Sequence, residues 1–137
     1  APGWEGEWGG GAPGGDPGAI EGWLRKRGPR FDSDWKMRYC KLEGGEFVYY
    51  AEEACNTKKG EFTLTPLCQV RRLREPSSTS QAKAHAPKYP NGFEVFTGTG
   101  PKDRTWYFDA GTPEKLQIWM QALSEAIRLV SQAQKGW

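Results

Sequence analysis

Seven short stretches of β-type residues, each ended by Gly, Pro or a polar turn, precede one stretch of helical periodicity, and this order of elements constrains the fold most. The first, 20–27, stops at Gly28 and Pro29. The second, 35–42, stops at Glu43, Gly44 and Gly45, and 46–51 follows at once, so this pair reads as a hairpin. Stretches 61–65, 68–73, 92–97 and 104–109 complete the series, with Pro66 after the fourth and a turn over 98–101 before the last. The connection lengths make neighbours mostly antiparallel. Thr112 then offers an N-cap, Pro113 suits the first helical position, and Glu114 meets the positive end of the helix dipole. Leu116, Trp119, Met120, Leu123, Ile127 and Val130 recur at helical spacing and predict one apolar face buried on the sheet. The pattern is lost from Gln132, so 132–137 is expected to fray. The reading is an α+β, mainly β domain. Two antiparallel sheets pack nearly orthogonally as a barrel, and the helix covers one open end. Loops at the other end form a ready mouth for a ligand.

The chain has 137 residues, enough for one domain, expected over 19–131. Residues 1–18 hold eight Gly and three Pro and read as a flexible arm carrying Trp4 and Trp8. The stretch 76–91 is polar, rich in Ser and Pro, and reads as a disordered loop with His85 as a solvated side chain. The chain begins with Ala1 rather than Met and reads as a segment of something longer. No apolar run approaches 18 residues, so no spanning helix is expected, and the first twenty residues lack the apolar core of a signal peptide.

A net charge of +2 argues against bulk attraction to nucleic acid. Cys40, Cys55 and Cys68 form no C-x-x-C pair, which argues against a disulfide framework or a zinc site and for a reducing, cytosolic setting. With one His, and no G-x-S-x-G, H-E-x-x-H or P-loop, no catalysis, cofactor or metal is expected.

Charge is polarised within this near-balance. Residues 20–41 hold seven basic side chains (Arg25, Lys26, Arg27, Arg30, Lys36, Arg38, Lys41) against three acids (Glu21, Asp32, Asp34), hence +4 locally. Lys36 and Arg38 are two apart on a strand and leave on one face, and Lys26 shares parity with Leu24. Three cations would then converge beneath the loop 28–34. Spacing alone leaves two readings open: a site for a ligand bearing several phosphates, or a solvated basic edge that discourages aggregation.

Residues 22–28 (GWLRKRG), 35–39 (WKMRY), the pair Tyr49 and Tyr50, and Trp119 in the helix resemble a pleckstrin homology (PH) domain, over about 20–131. The resemblance implies a PH-like seven-stranded barrel with a C-terminal helix, and a split in function within the family. The subset that recognises 3-phosphorylated inositides carries K-x(n)-[KR]-x-R, which falls here on Lys26, Lys36 and Arg38. It also tends to have a Tyr near the end of strand three and a basic residue before a Gly in strand four, which fall on Tyr50 and on Lys59 before Gly60. By this resemblance Lys26 bridges neighbouring phosphates, Arg38 contacts the 3-phosphate, and Lys36, Tyr50 and Lys59 complete the ring. Phe31 at the predicted loop tip, flanked by Arg30, reads either as a shallow membrane contact or as a side chain packed on the domain's own surface. Asp32 and Asp34 depart from the pattern and would oppose incoming phosphate unless they order the loop. Arg71, Arg72 and Arg74 form a second basic cluster that reads either as an aid to steering onto an anionic leaflet or as an exposed strand edge.

The expectation is therefore a non-catalytic module recruited from the cytoplasm to the plasma membrane by phosphoinositides. The favoured lipids are phosphatidylinositol 3,4,5-trisphosphate or the 3,4-bisphosphate. The alternative is a protein-interaction module of the same fold with weak, charge-driven lipid binding. Convergence of Lys26, Lys36 and Arg38 separates the two.

Overall fold

The computed structural model describes residues 12–13, 17–28, 35–73, 85–98 and 104–135. Its strands are β1 (Ala12–Pro13), β2 (Ile20–Arg27), β3 (Trp35–Glu43), β4 (Glu46–Tyr50), β5 (Lys58–Thr63), β6 (Gln69–Arg72), β7 (Gly92–Phe96) and β8 (Thr105–Asp109), followed by helix α1 (Pro113–Lys135). The seven main strands form one antiparallel sheet in the order β5-β4-β3-β2-β8-β7-β6. The ladder is continuous through β2, which pairs with β3 along its whole length and with β8 at Arg25 and Lys26. The two ends of this sheet, β5 and β6, are joined by residues 64–68, and α1 packs against β6 and β7 beside that opening. Seven strands and one terminal helix are the architecture the sequence pattern predicts.

Local chemistry fixes the joints. Gly44 and Gly45 both have positive φ (60° and 79°), the conformation a two-residue β3–β4 turn of this hand requires. Thr112 caps α1, its Oγ1 accepting the Lys115 N–H at 3.2 Å. Inside, Phe47 stacks on Phe62 with centroids 4.7 Å apart and meets Phe108 and Trp119, so the helix tryptophan closes one end of the core.

The structure departs from the sequence reading at three places. Residues 85–91, expected in a disordered loop, cover the outer face of the sheet. His85 is 7% exposed, and Tyr89 stacks on Trp35 with centroids 4.0 Å apart. Trp35, Leu73, Ala86, Tyr89 and Tyr107 form a second small core there. The polar composition of this stretch concealed the aromatic surface it supplies to Trp35 and Tyr107. Helix α1 continues to Lys135 rather than stopping at 131, because Gln, Ala and Lys sustain helix without an apolar stripe. Within the arm expected to be flexible, Ala12 and Pro13 pair with Glu21 and Ile20.

Candidate functional site

Along β2 the inward positions are Ile20, Gly22, Leu24 and Lys26, all buried. A lysine thus takes the last core position of the strand, with 7% of its surface exposed. Its stem lies on aromatic faces, with Nζ 4.7 Å from the Tyr49 ring centroid and 5.1 Å from that of Trp106. Nζ donates to the Arg27 carbonyl oxygen at 3.1 Å. The β2–β3 register sets Lys26 directly opposite Lys36, and Leu24 opposite Arg38. Like charges opposed across a ladder repel, so this pairing costs stability unless an anion lies over it.

Two more cations join from other strands. The β4–β5 register pairs Tyr49 with Gly60 and Tyr50 with Lys58, so a bulge leaves Lys59 as the extra residue. Lys58 is turned outward, its Nζ 2.7 Å from Glu61 Oε1. The bulge thereby re-aims Lys59 to the face of Gly60 and Phe62. Gly60 is required for close approach, since a Cβ there would collide with the Tyr49 hydroxyl. Arg104, just before β8, lays its guanidinium 3.7 Å over the Trp106 ring. Arg38 is steadied by donation from Nη1 to the Met37 carbonyl oxygen at 3.0 Å.

These groups line one open hollow of about 270 Å³, formed by Lys26, Lys36, Arg38, Tyr49, Lys59 and Arg104 with Arg27 and Gly28. No acid lines it among the described residues. Burial raises the Tyr49 hydroxyl pKa, with Arg104 and Arg38 pulling it back, so Tyr49 is a neutral donor at the floor. Burial also holds the Cys40 thiol protonated beneath it, despite Lys26 and Arg38. Such an arrangement of cations and a hydroxyl donor suits an oxyanion held through several charge-assisted bonds.

Of the residues singled out from sequence, Lys26, Lys36, Arg38 and Lys59 come together. Tyr50 does not join them. It faces a separate hollow with Lys41, Glu43, Glu46 and Val48, because strand parity puts Tyr49, not Tyr50, on the inner face with Phe47. Arg30, Phe31, Asp32, Asp34 and Arg74 lie outside the described residues. Arg71 Nη1 lies 4.0 Å from the buried Glu94, which offsets charge in the second basic cluster. Arg104 and Tyr49 were not found from sequence. The signal for both was parity, Arg104 with Trp106 and Phe108, and Tyr49 with Phe47. Among the described residues no cluster of His, Cys, Asp or Glu could hold a metal, and no helix is long and apolar enough to cross a membrane.

The family model for the PH domain matches residues 19–128. The chain belongs to the PH domain family. It is 27% identical over 114 residues to BEM1-interacting protein 2 of Saccharomyces cerevisiae, a match covering 76% of this chain and 11% of that protein. The chain thus spans about a tenth of that relative's length. In structure this PH domain resembles the N-terminal PH domain of human ARAP2, with TM-score 0.59 and 26% identity over 88% of this chain and 89% of that one. It also resembles the C-terminal PH domain of pleckstrin in complex with D-myo-Ins(1,2,3,4,5)P5, with TM-score 0.57 and 24% identity over 77% and 94% of the two chains. PH domains are generally non-catalytic modules, and the family includes phosphoinositide binders.

Proposed function

We propose that this PH domain is a membrane-recruitment module that binds phosphoinositide head groups, with preference for 3-phosphorylated ones, on the cytosolic leaflet of the plasma membrane. The observation that carries this reading is the convergence of Lys26, Lys36, Arg38, Lys59 and Arg104 on one hollow, with no acid among the described residues of its lining. In this reading Lys26 lies between neighbouring phosphates, Arg38 takes the 3-phosphate with its planar fork, and Lys36 and Lys59 neutralise the others. Tyr49 donates from the floor in the role expected of Tyr50. Arg30 and Phe31 extend the contact to the lipid surface. The inositol pentakisphosphate held by the pleckstrin domain supports the ligand class. Convergence also favours this reading over protein docking, which needs no such ring of cations.

The test is sedimentation with liposomes that differ only in their inositide, comparing the native domain with Arg38→Ala. Selective binding to 3-phosphorylated lipid, lost in Arg38→Ala, is expected. Weak binding that follows total negative charge and survives Arg38→Ala would overturn the proposal and favour the protein-docking module.

A further inference from the structure

We propose that the apolar groove along the C-terminal half of α1 is a docking site for residues 4–8 of this same chain, with the Trp4 indole seated in it. The groove has a volume of about 470 Å³ and lies between Pro17, Gly18 and Ala19, the Gly44–Gly45 turn, and Ala126, Leu129, Val130 and Ala133 of α1. Every one of these residues is apolar, which gives water few partners there. Close contact holds the walls together. A Cβ on Gly18 would press on Ala126 Cα and Leu129 Cδ1 at 3.1 Å, and one on Gly45 would collide with Val130 Cγ1 at 2.8 Å. Leu129 is nonetheless 39% exposed, and among the described residues only Leu67 is another large apolar side chain left so open.

The chain itself brings an occupant to this place. β1 pairs Ala12 with Glu21 and Pro13 with Ile20, which anchors the arm beside β2. Ala12 thus stands level with Glu21, three residues and about 10 Å along the strand from Gly18. Residues 1–11 precede it, outside the described residues, and Trp4 and Trp8 are their only large apolar side chains. Antiparallel pairing heads this segment away from Gly18, and Gly9, Gly10 and Gly11 allow it to turn back. The five residues from Trp8 to Trp4 then span up to about 17 Å, enough to regain the distance to Gly18 and set Trp4 against Leu129 and Val130. Attachment at Ala12 gives the indole an effective concentration on the order of millimolar at the groove, so a contact too weak between separate molecules is filled. The groove lies at the Gly44–Gly45 end of β3, remote from Lys36 at the other end, so a docked arm leaves the basic hollow open.

Methyl NMR of the whole chain at two protein concentrations tests this. The Leu129 and Val130 methyls should show nuclear Overhauser contacts with the Trp4 indole, and ring-current shifts that are the same at both concentrations. Trp4→Ala should remove both effects, and Trp137→Ala neither. Ala133→Glu lies at an exposed position of α1 where a good helix former is tolerated, and it puts a charge into the groove. It should free the indole and move the Trp4 Nε1–H signal to the position of a solvated tryptophan, while the remaining signals show that the domain is folded. Contacts that vanish on dilution would mean that a second copy fills the groove. Contacts from Trp137 that survive Trp4→Ala would mean that the other end of the chain does. Either result overturns the proposal, and so would methyls that show no contact with Trp4 and no response to Trp4→Ala.

Discussion

Lys26→Met separates ligand binding from folding at the position where the two conflict. Methionine keeps the straight stem and fills the same space, so the change removes charge without opening a cavity. Its loss ends the contacts with Tyr49 and Trp106, about 1 kcal/mol apiece, and the bond to the Arg27 carbonyl oxygen, about 1.5 kcal/mol. Opposing these are relief of repulsion from Lys36, up to about 1 kcal/mol, and the end of holding an ammonium in a nearly buried site, which costs several kcal/mol before its contacts offset it. The terms nearly cancel. Stability should change by less than about 1 kcal/mol, a Tm shift below roughly 6 °C for a domain of this size. Head-group affinity loses at least one charge-assisted bond, about 1.5–3 kcal/mol, or roughly ten- to hundredfold. Calorimetry and titration with a soluble inositol phosphate at one salt concentration measure both. Unchanged affinity would remove Lys26 from the site. A loss of stability above about 3 kcal/mol would make it a structural lysine and refute the reasoning.

Three further outcomes test the geometry. Lys59→Ala should cut head-group affinity about tenfold or more, while Lys58→Ala, which breaks only a surface pair with Glu61, should leave it within twofold; equal effects would show that the bulge does not aim Lys59 inward. Gly60→Ala should lower unfolding free energy by about 1–3 kcal/mol through the clash with Tyr49, and Tyr49→Phe should recover part of that loss in the double variant; strict additivity in denaturant melts would deny the contact. Burial raises the Asp109 carboxyl pKa above its ordinary value, against the Gly111 N–H and Arg25, so its contribution is full below the unfolded pKa and is lost as pH rises through the folded one. Asp109→Asn keeps the acceptor for Gly111 and should be more stable than the native chain at pH 7, the gap closing as pH falls below the ordinary Asp range; a gap equal at both pH values in chemical denaturation would refute this.

The strands, the hairpin turn and the capped helix were legible because each depends on local chemistry: period-two apolar positions, Gly44-Gly45, and Thr112 before Pro113. The triad Lys26, Lys36 and Arg38 was legible for the same reason, since parity on paired strands fixes which side chains share a face. Parity was not carried far enough at Tyr50. Phe47 and Tyr49 alternate inward, so only Tyr49 can reach the mouth. Lys59 shows the opposite limit. On an unbroken strand it would share a face with Glu61, and only the bulge reverses it. A bulge depends on pairing between strands and leaves little trace in one of them. His85 and Tyr89 were hidden because the surface they cover is assembled from Trp35 and Tyr107, far away in the chain.

Four of the five cations sit on strands and Arg104 immediately before one, and this placement has a physical reason. Five positive side chains around one hollow repel one another when it is empty, and mobile loops would let them drift apart into water. Lys26 cannot drift, being the inward residue of a strand paired on both sides and resting on Tyr49 and Trp106. Trp106 in turn stacks on Phe62, which stacks on Phe47, which meets Trp119 of the helix. A continuous run of rings therefore connects the charged mouth to the helix. The apolar core supports an arrangement that electrostatics alone would disperse, and a bound anion removes the repulsion. Ligand should accordingly stabilise the fold by mass action, about 2.7 kcal/mol at a hundredfold excess over Kd. Added salt should raise the stability of the empty domain while weakening its affinity, because screening acts on both the repulsion and the attraction. A domain whose basic residues merely formed a solvated edge would show neither coupling.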